Sequence, residues 1–438
     1  MKQLLTIICC FWFIFPGCKQ EANPESINEF CAKQFFEWNN KLTYVIISDI
    51  FTPPVCSRIY AYTNIAAYEA LQQDYKEYPS YAGKLNGLKT VPQPKQGTAY
   101  NYTIAGIIAF TTVAQKLVFN SDAIKEMEDE FLEQLDSINV DKKLLDNSIS
   151  YGREVGNHII AWAAKDGYLQ RNSLPAYIVT KEEGRWQPTP PNYADAIESN
   201  WKMLRPLVLD SCSQFRPHPP PKYDTAKNSV FYKEAYQVYE TVKNPNDGDS
   251  AIAWYWDDNP NTSVTDGHVT YFQQKNSPPG HWICIACSVA KKERYDVMKT
   301  ASLVSKTAIA LYDAFISCWE AKYTYNYIRP ETFINKYIDK EWTPLIQTPP
   351  FPEYPSGHSV ASSSAATVLT KMVGPDYVFT DSAEVLFGRP PRTFNSFYEA
   401  ADEACISRLM GGIHFFTAIK NGKEEGRKLG SFVISKLN

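Results

Sequence analysis

The chain of 438 residues has no excess of basic side chains: Lys and Arg number 44 against 48 Asp and Glu, giving a formal net charge of -4. A protein that binds nucleic acid or an acidic membrane through its general surface needs a positive field, so neither partner is expected. Any site for an anion must therefore be a local cluster of cations. The 44% of hydrophobic residues is enough for a large core and predicts a globular protein.

Long hydrophobic runs are also missing, except at the N-terminus. Residues 4–15 are apolar, follow Lys2 and precede Pro16-Gly17-Cys18, which is the layout of an export signal and shorter than the about 20 residues of a bilayer span. "FPGC" resembles the lipobox of bacterial lipoproteins. We therefore expect residues 1–18 to be a lipoprotein signal peptide ending at Cys18. The exported chain would then be attached to the cell envelope (periplasm or outer surface) by a lipid anchor only, with an unlipidated signal peptide or a single membrane anchor as alternatives.

The ten cysteines complete neither a zinc site nor an even-numbered disulfide framework. Three lie in the first 18 residues and seven remain, so at least one thiol must stay unpaired. Cys284 and Cys287 form a C-x-x-C motif without a second pair, which favours two small buried helix residues over a metal site.

No stretch alternates polar and apolar residues long enough to predict a β-strand, and no internal repeat is visible. Apolar residues instead recur every three or four positions at about 25–75, 99–137 and 141–166, which predicts helices. The predicted fold class is therefore all-α.

Two passages interrupt the helical pattern. Residues 185–221 contain eight prolines and little periodicity, and residues 245–268 are rich in Asp and Trp. A long irregular segment inside a compact protein is usually functional or wraps between parts of the fold. We interpret 185–221 as a strap that joins an N-terminal helical half (19–294) to a C-terminal helical core (295–438).

Basic and histidine side chains gather in three short blocks of the C-terminal core. The blocks read KYTYNYIRP (322–330), PSGH (355–358) and SRLMGGIH (407–414). Singly, a lysine reaching solvent, an arginine at a helix end or a buried histidine would be ordinary. Together they supply three cations, two neutral donors at a helix start and two histidines: Lys322, Arg329, Arg408, Ser356, Gly357, His358 and His414. Cations and helix starts bind oxyanions, while one imidazole can bond the central atom and another can move protons.

In this order the blocks resemble the signature K-x6-R-P, P-S-G-H and S-R-x5-H of a known superfamily. It contains the type 2 phosphatidic acid phosphatases, bacterial acid phosphatases and vanadium-dependent haloperoxidases. The resemblance covers about residues 295–430 and implies a helical bundle, with the N-terminal half as an extension like that of the larger haloperoxidases. It also implies that the oxygens of vanadate, or of phosphate in the same pocket, are held by Lys322, Arg329, Ser356, Gly357 and Arg408. His414 would bond the vanadium or phosphorus, and His358 would be the acid–base.

Two neighbouring residues favour the haloperoxidase branch. Phe351, in PPFPEYPSGH, is similar to the phenylalanine that lines the halide pocket of chloroperoxidases, and Trp319 matches a tryptophan three residues before the lysine. In WYWDDNP, Asp257 and Asp258 are both candidates to support Arg408.

One position departs from the family pattern. The family usually has an aspartate four residues after the ligand histidine to orient its ring, and here that residue is Ala418. A backbone carbonyl could substitute for it, as could an acid from residues 257–266.

The first hypothesis is a vanadium-dependent haloperoxidase-like enzyme that binds vanadate and uses hydrogen peroxide to oxidise a halide. The alternative is an acid phosphatase acting on a phosphate ester, in which His414 forms a phosphohistidine and His358 protonates the leaving alkoxide. A third is a surface lipoprotein that binds oxyanions with weak turnover, which Ala418 favours. Bromination of a phenol with peroxide, compared with hydrolysis of an aryl phosphate, separates the three.

Overall fold

The computed structural model describes residues 24–438, so the predicted signal peptide and Cys18 lie outside the described residues. Residues 24–438 form thirteen α-helices and two short β-hairpins. The helices are α1 (Pro24–Ser48), α2 (Pro53–Leu71), α3 (Tyr102–Leu117), α4 (Ser121–Ser137), α5 (Lys142–Ala163), α6 (Val230–Lys243), α7 (Asp249–Tyr255), α8 (Pro278–Lys292), α9 (Val297–Tyr325), α10 (Pro330–Tyr337), α11 (Gly357–Val373), α12 (Phe397–Met410) and α13 (Phe416–Leu437). The predicted all-α class is confirmed.

The two hairpins were not predicted. Strands β1 (Ser263–Asp266) and β2 (Val269–Phe272) pair antiparallel, as do β3 (Phe379–Asp381) and β4 (Arg392–Phe394). Strands of three or four residues are too short to show a readable alternation. The passage 245–268, predicted to be irregular, therefore contains both α7 and β1.

Capping residues set the helix boundaries near the three blocks. Ser356 accepts the Ser359 N–H at 3.3 Å and begins α11, and Ser396 accepts the Glu399 N–H at 3.1 Å before α12. Helix α9 ends at Tyr325, and Pro330 begins α10. Proline fits there because the first turn of a helix needs no N–H donor.

Helix α11 packs against α9, α12 and α13. The small side chains of α11 and glycines four residues apart on α13 let these two helices approach closely. A Cβ at Gly430 would lie 2.5 Å from the Ser364 carbonyl oxygen, and one at Gly426 would overlap the Val360 carbonyl. The start of α11 is therefore held rigidly against α13.

One contiguous hydrophobic core runs from Ile27 to Leu437 and includes side chains of both predicted halves. The predicted boundary at 294/295 falls between α8 and α9, and the division into two domains remains a prediction. A second cluster, rich in aromatic residues, lies below the three blocks and includes Phe231, Tyr354 and Phe415.

The strap has no helix or strand apart from one 3-10 turn, Trp201–Met203. Several of its backbone groups hydrogen-bond to side chains of α9. The Ile197 carbonyl accepts from Tyr323 Oη at 2.6 Å and Trp319 Nε1 at 3.3 Å, and Asp313 accepts three consecutive amides at 207–209. A largely irregular segment is thereby fixed across the helix that carries Lys322.

The seven cysteines within residues 24–438 are all free thiols. Cys284 and Cys287 lie on α8, the first half-buried and the second buried. No helix in residues 24–438 is long and apolar enough to cross a bilayer.

Candidate active site

A cavity opens between the second and third blocks, beside Arg329 of the first block. Its walls include Gly357 and His358 from the start of α11, Arg408 from α12 and His414 from the loop before α13. Phe351 lies on the opposite wall. Residues 63 positions apart in the chain, from Phe351 to His414, thus face one enclosed space.

His414 is buried and its ring is fixed by Glu353. Its Nδ1 lies 2.8 Å from Glu353 Oε1, and the same oxygen accepts the Phe415 N–H at 3.0 Å. Nε2 lies 3.2 Å from Arg329 Nη1, which can only donate, so Nε2 is the acceptor and Nδ1 carries the hydrogen. The lone pair of His414 is therefore on Nε2, the nitrogen expected to bond the central atom of an oxyanion.

The expectation for the carboxylate that orients His414 was wrong. No acid of residues 257–266 has this role, and the Ala418 carbonyl accepts from Ser356 N–H at 3.2 Å instead. Glu353, from the loop before α11, replaces the missing aspartate. Burial raises the pKa of Glu353 to about 8, against the opposing charges of Arg329 and Lys322.

Arg329 and His414 Nε2 face the same point. Arg329 Nη1 lies 3.2 Å from Nε2 and donates to the Ile413 carbonyl at 2.9 Å, while Nε donates to Phe351 O at 3.0 Å. Burial lowers the pKa of Arg329 to about 10. An anion bonded to Nε2 would lie within reach of this guanidinium.

Lys322 differs from its predicted role in one respect. Its ammonium donates to the carbonyls of Pro352, Glu353 and Pro355 at 3.0, 3.0 and 2.5 Å. All three N–H groups are therefore used to shape the loop ahead of α11. In this arrangement Lys322 acts on the cavity through its charge rather than through a direct hydrogen bond. Burial lowers its pKa to about 8.

The start of α11 offers neutral donors. Ser356 Oγ accepts from both the N–H and the hydroxyl of Ser359, at 3.3 and 2.9 Å, so its own hydrogen is free to donate. The first helical bond of α11 begins at the Val360 N–H, which leaves the amides of Gly357 and His358 ahead of it. This is the anion-binding geometry of a helix N-terminus.

His358 carries a free nitrogen at the cavity. Its Nε2 is buried without a hydrogen-bond partner in residues 24–438, while the ring donates to the Trp256 carbonyl. Since Nε2 has no partner, that donor is Nδ1–H, and Nε2 holds a lone pair. Burial and the charge of Arg408 keep the pKa of His358 well below its ordinary value.

Arg408 is buried and is held by carbonyls rather than by an ion pair. Its Nε donates to Ser407 Oγ at 2.9 Å and its Nη2 to the carbonyls of Ala253 and Trp256. Within the described part of the chain, Nη1 has no hydrogen-bond acceptor, so both of its hydrogens remain available to an anion.

The predicted support of Arg408 by Asp257 or Asp258 therefore needs correction. Asp257 pairs with Lys275, with Nζ to Oδ2 at 2.5 Å, and Asp258 pairs with His281 at 3.1 Å. Both carboxylates act on Arg408 only through their charge, which opposes the effect of burial in lowering its pKa. Both follow Trp256, whose carbonyl is the group that touches Arg408.

Phe351 and Trp319 form an aromatic wall. Their ring centroids are 5.0 Å apart, and both residues line the cavity. The Lys322 ammonium and the Arg329 guanidinium each lie 5.0 Å from the Phe351 centroid, within the range of cation–π attraction. The aromatic rings thus give the cavity an apolar surface, and the two cations contact the Phe351 ring without lining the cavity.

Sequence reasoning missed Glu353 and Trp256. Glu353 stands inside the quoted segment PPFPEYPSGH, and an acid placed between prolines beside a cationic motif was a signal that could have found it. Trp256 contributes a backbone carbonyl, for which its residue type gives no signal.

The helical bundle and the donor set define a class of enzymes that hold an oxyanion beside two histidines. The chain belongs to the vanadium-dependent haloperoxidase family, whose members are peroxidases, as predicted. Residues 302–438 match the family model for the VCPO second helical-bundle domain. The structure of a bacterial vanadium-dependent iodoperoxidase is 42% identical, with a TM-score of 0.87, and the match covers 96% of this chain and 98% of that chain.

Two further structures share the fold. A holo-type bacterial vanadium-dependent chloroperoxidase is 14% identical with a TM-score of 0.64, covering 89% of this chain and 93% of that chain. The apo-type chloroperoxidase is 16% identical with a TM-score of 0.65, covering 89% and 94%. No match was found among curated proteins.

Proposed function

We propose that the cavity binds vanadate and that the enzyme uses it with hydrogen peroxide to oxidise a halide. The observation that carries this proposal is the fixed tautomer of His414. Glu353 holds Nδ1–H, so the Nε2 lone pair is available as a ligand beside Arg329, Arg408 and the start of α11. Vanadate, when bound, supplies a Lewis acid that activates peroxide without changing its oxidation state.

Several hydrogen-bond donors of the protein would together hold the oxygens of the oxyanion. The Ser356 hydroxyl and the Gly357 amide offer neutral hydrogen bonds, and Arg408 Nη1 offers two charged ones. Arg329 lies beside the nitrogen ligand, and Lys322 adds positive charge from behind the loop. Each donor is held by other contacts before the anion arrives, so little reorganisation is required.

His358 is suited to move the proton. Its lowered pKa keeps the ring neutral near pH 7, and its unpartnered Nε2 can accept a proton from the O–H of hydrogen peroxide entering the cavity. The Trp256 carbonyl stabilises the imidazolium that forms, because it accepts the hydrogen on the other ring nitrogen.

We infer that iodide is the preferred halide. The wall that a halide meets includes Phe315, Trp319 and Phe351 and has few polar groups. The cost of removing an ion from water falls as its radius grows, so iodide enters such a wall most easily. The 42% identical relative is described as an iodoperoxidase, which supports the same choice.

The test uses residues 19–438 with orthovanadate and hydrogen peroxide. Oxidation of iodide, bromide and chloride is compared at equal concentration, and His414→Ala is the negative variant. Peroxide-dependent iodide oxidation that requires vanadate and His414 supports the proposal. Oxidation that proceeds equally without added vanadate, or that His414→Ala retains, contradicts it.

We also propose that the chain is exported and attached to the cell envelope through a lipid on Cys18, supported by the apolar segment 4–15 and the Pro-Gly-Cys that ends the signal. Cells expressing the full chain are labelled with a radioactive fatty acid. Label incorporated into the wild type and absent from Cys18→Ala is expected. Label retained in Cys18→Ala would refute the anchor.

A further inference from the structure

His281, on α8, is a fully buried histidine held between two carboxylates; Asp258 lines the cavity, whereas His281 itself does not. Its Nδ1 lies 3.1 Å from both carboxylate oxygens of Asp258, and its Nε2 lies 2.7 Å from Asp381 Oδ2. Glu384 is 3.6 Å from Nδ1. Each ring nitrogen faces a carboxylate acceptor, so both carry hydrogen and His281 is an imidazolium.

The surroundings of His281 favour its charged, imidazolium form. Burial lowers the pKa of His281, but the charges of Asp258 and Asp381 outweigh burial and raise it well above the ordinary value. A buried cation with two anionic partners is a rigid arrangement, since removal of one member leaves an uncompensated charge.

His281 makes two contacts with the segment that follows α7. Its ring stacks on the Trp256 indole with centroids 4.5 Å apart and an interplanar angle of 14°. It also binds the carboxylate of Asp258, two residues further on. Through Asp381 the same ring is tied to β3, and Tyr255 Oη donates to the Asp381 carbonyl at 3.2 Å. The side chain of His281 thereby connects α8, the segment after α7 and β3.

This segment carries the Trp256 carbonyl, which accepts hydrogen bonds from two predicted site residues. The Trp256 carbonyl accepts from Arg408 Nη2 and from the His358 ring. The Trp256 indole is fixed at its far edge by Nε1 donating to Glu403 Oε1 at 3.0 Å. A shift of this carbonyl would move the predicted anion-binding guanidinium and the predicted acid–base together.

We propose that His281 is a positioning residue that fixes the Trp256 carbonyl and so orients Arg408 and His358 toward the cavity. This inference depends on the proposed binding of vanadate at that cavity. His281 does not line the cavity itself; it acts through its contacts with Trp256 and Asp258, and its positive charge also contributes to the lowered pKa of His358.

The central variant is His281→Gln, which cannot donate at both ends and leaves one buried carboxylate without a partner. The matched control is Tyr255→Phe, which removes a hydrogen bond to Asp381 without touching Trp256 O or Asp258. The dissociation constant of orthovanadate is measured by equilibrium dialysis, together with kcat, the KM for iodide and the thermal midpoint.

In His281→Gln the vanadate dissociation constant rises ~10- to 100-fold and kcat falls, while the KM for iodide is unchanged, as expected when a group that orients a ligand is lost. Tyr255→Phe stays within about threefold of the wild type. If His281→Gln does not fold, Asp381→Leu removes the Nε2–H acceptor and the same rise is expected.

A folded His281→Gln with wild-type vanadate affinity and kcat overturns the inference. So does a fall in thermal midpoint shared with Tyr255→Phe and unaccompanied by a change in affinity, because His281 would then serve stability alone. A wild type that binds no vanadate overturns the proposed function instead, so the two failures are distinct.

Discussion

Replacing Glu353 should weaken vanadate binding through the tautomer of His414. Two variants separate the contributions of this residue. Glu353→Gln keeps a carbonyl oxygen that can accept both the Nδ1–H and the Phe415 N–H, and loses only the ability to ionise. Glu353→Leu removes the acceptor, so the hydrogen of His414 is free to move to Nε2 and block the ligand nitrogen.

The size of the effect follows from the two hydrogen bonds, at 2.8 and 3.0 Å, that Glu353 Oε1 accepts. Loss of a residue that orients a ligand histidine reduces affinity ~10- to 100-fold, or about 1.4–2.8 kcal/mol. We therefore expect Glu353→Leu in this range and Glu353→Gln below about tenfold.

The assay is equilibrium dialysis of orthovanadate against each purified variant, with a denaturant midpoint to verify folding. Glu425→Gln is the matched control. Glu425 is also buried, also has a pKa that burial raises to about 8, and binds Ser317 Oγ at 2.7 Å rather than a cavity residue. It should bind vanadate within about twofold of the wild type. A folded Glu353→Leu that binds as tightly as the control would refute the reasoning.

Three further outcomes are expected. Vanadate affinity should fall as pH rises above about 8, since burial lowers the pKa of Lys322 to about 8 and its positive charge is lost there; binding titrations from pH 6.5 to 9.5 test this. Lys322→Met should bind more weakly and show a smaller fall, because Glu353, whose pKa burial raises to about 8, still ionises over the same range. Stability should fall between about pH 4.5 and 8, because the raised pKa of Glu425 makes the folded state bind the proton more tightly than the unfolded state; thermal melts of Glu425→Gln should show a shallower slope. Gly426→Ala should cost about 1–3 kcal/mol by overpacking α11 against α13, whereas exposed Lys420→Ala should change the denaturation free energy by less than about 0.5 kcal/mol.

The groups around the cavity were predictable where local sequence spacing fixes their position. Ser356 and Gly357 begin α11 because a serine that caps a helix and a glycine that follows it are readable from neighbouring residues. His414 follows a helix that Gly411 ends. The order of the three blocks then indicated that they meet, although spacing alone could not give the distances between them.

The supporting contacts were not predictable, because they join residues far apart in the chain. Glu353 and His414 are separated by 61 positions, and His281 and Asp381 by 100. Trp256 acts through a carbonyl that every residue possesses. Which of several acids pairs with which cation is decided by packing, and the expected partnership of Asp257 with Arg408 failed because Lys275 lies closer.

The replacement of the usual aspartate by Ala418 has a structural consequence beyond a missing charge. A carboxylate at 418 would tie His414 to the helix that follows it, whereas Glu353 ties it to the loop that Lys322 shapes through three carbonyls. The ligand nitrogen and the donor helix are thereby fixed to one loop, and a displacement of that loop would move both together. Ala418 instead packs in the aromatic cluster and offers its carbonyl to the Ser356 N–H. The argument from Ala418 for a weak binding protein therefore loses its basis, since the function of the absent carboxylate is present at another position.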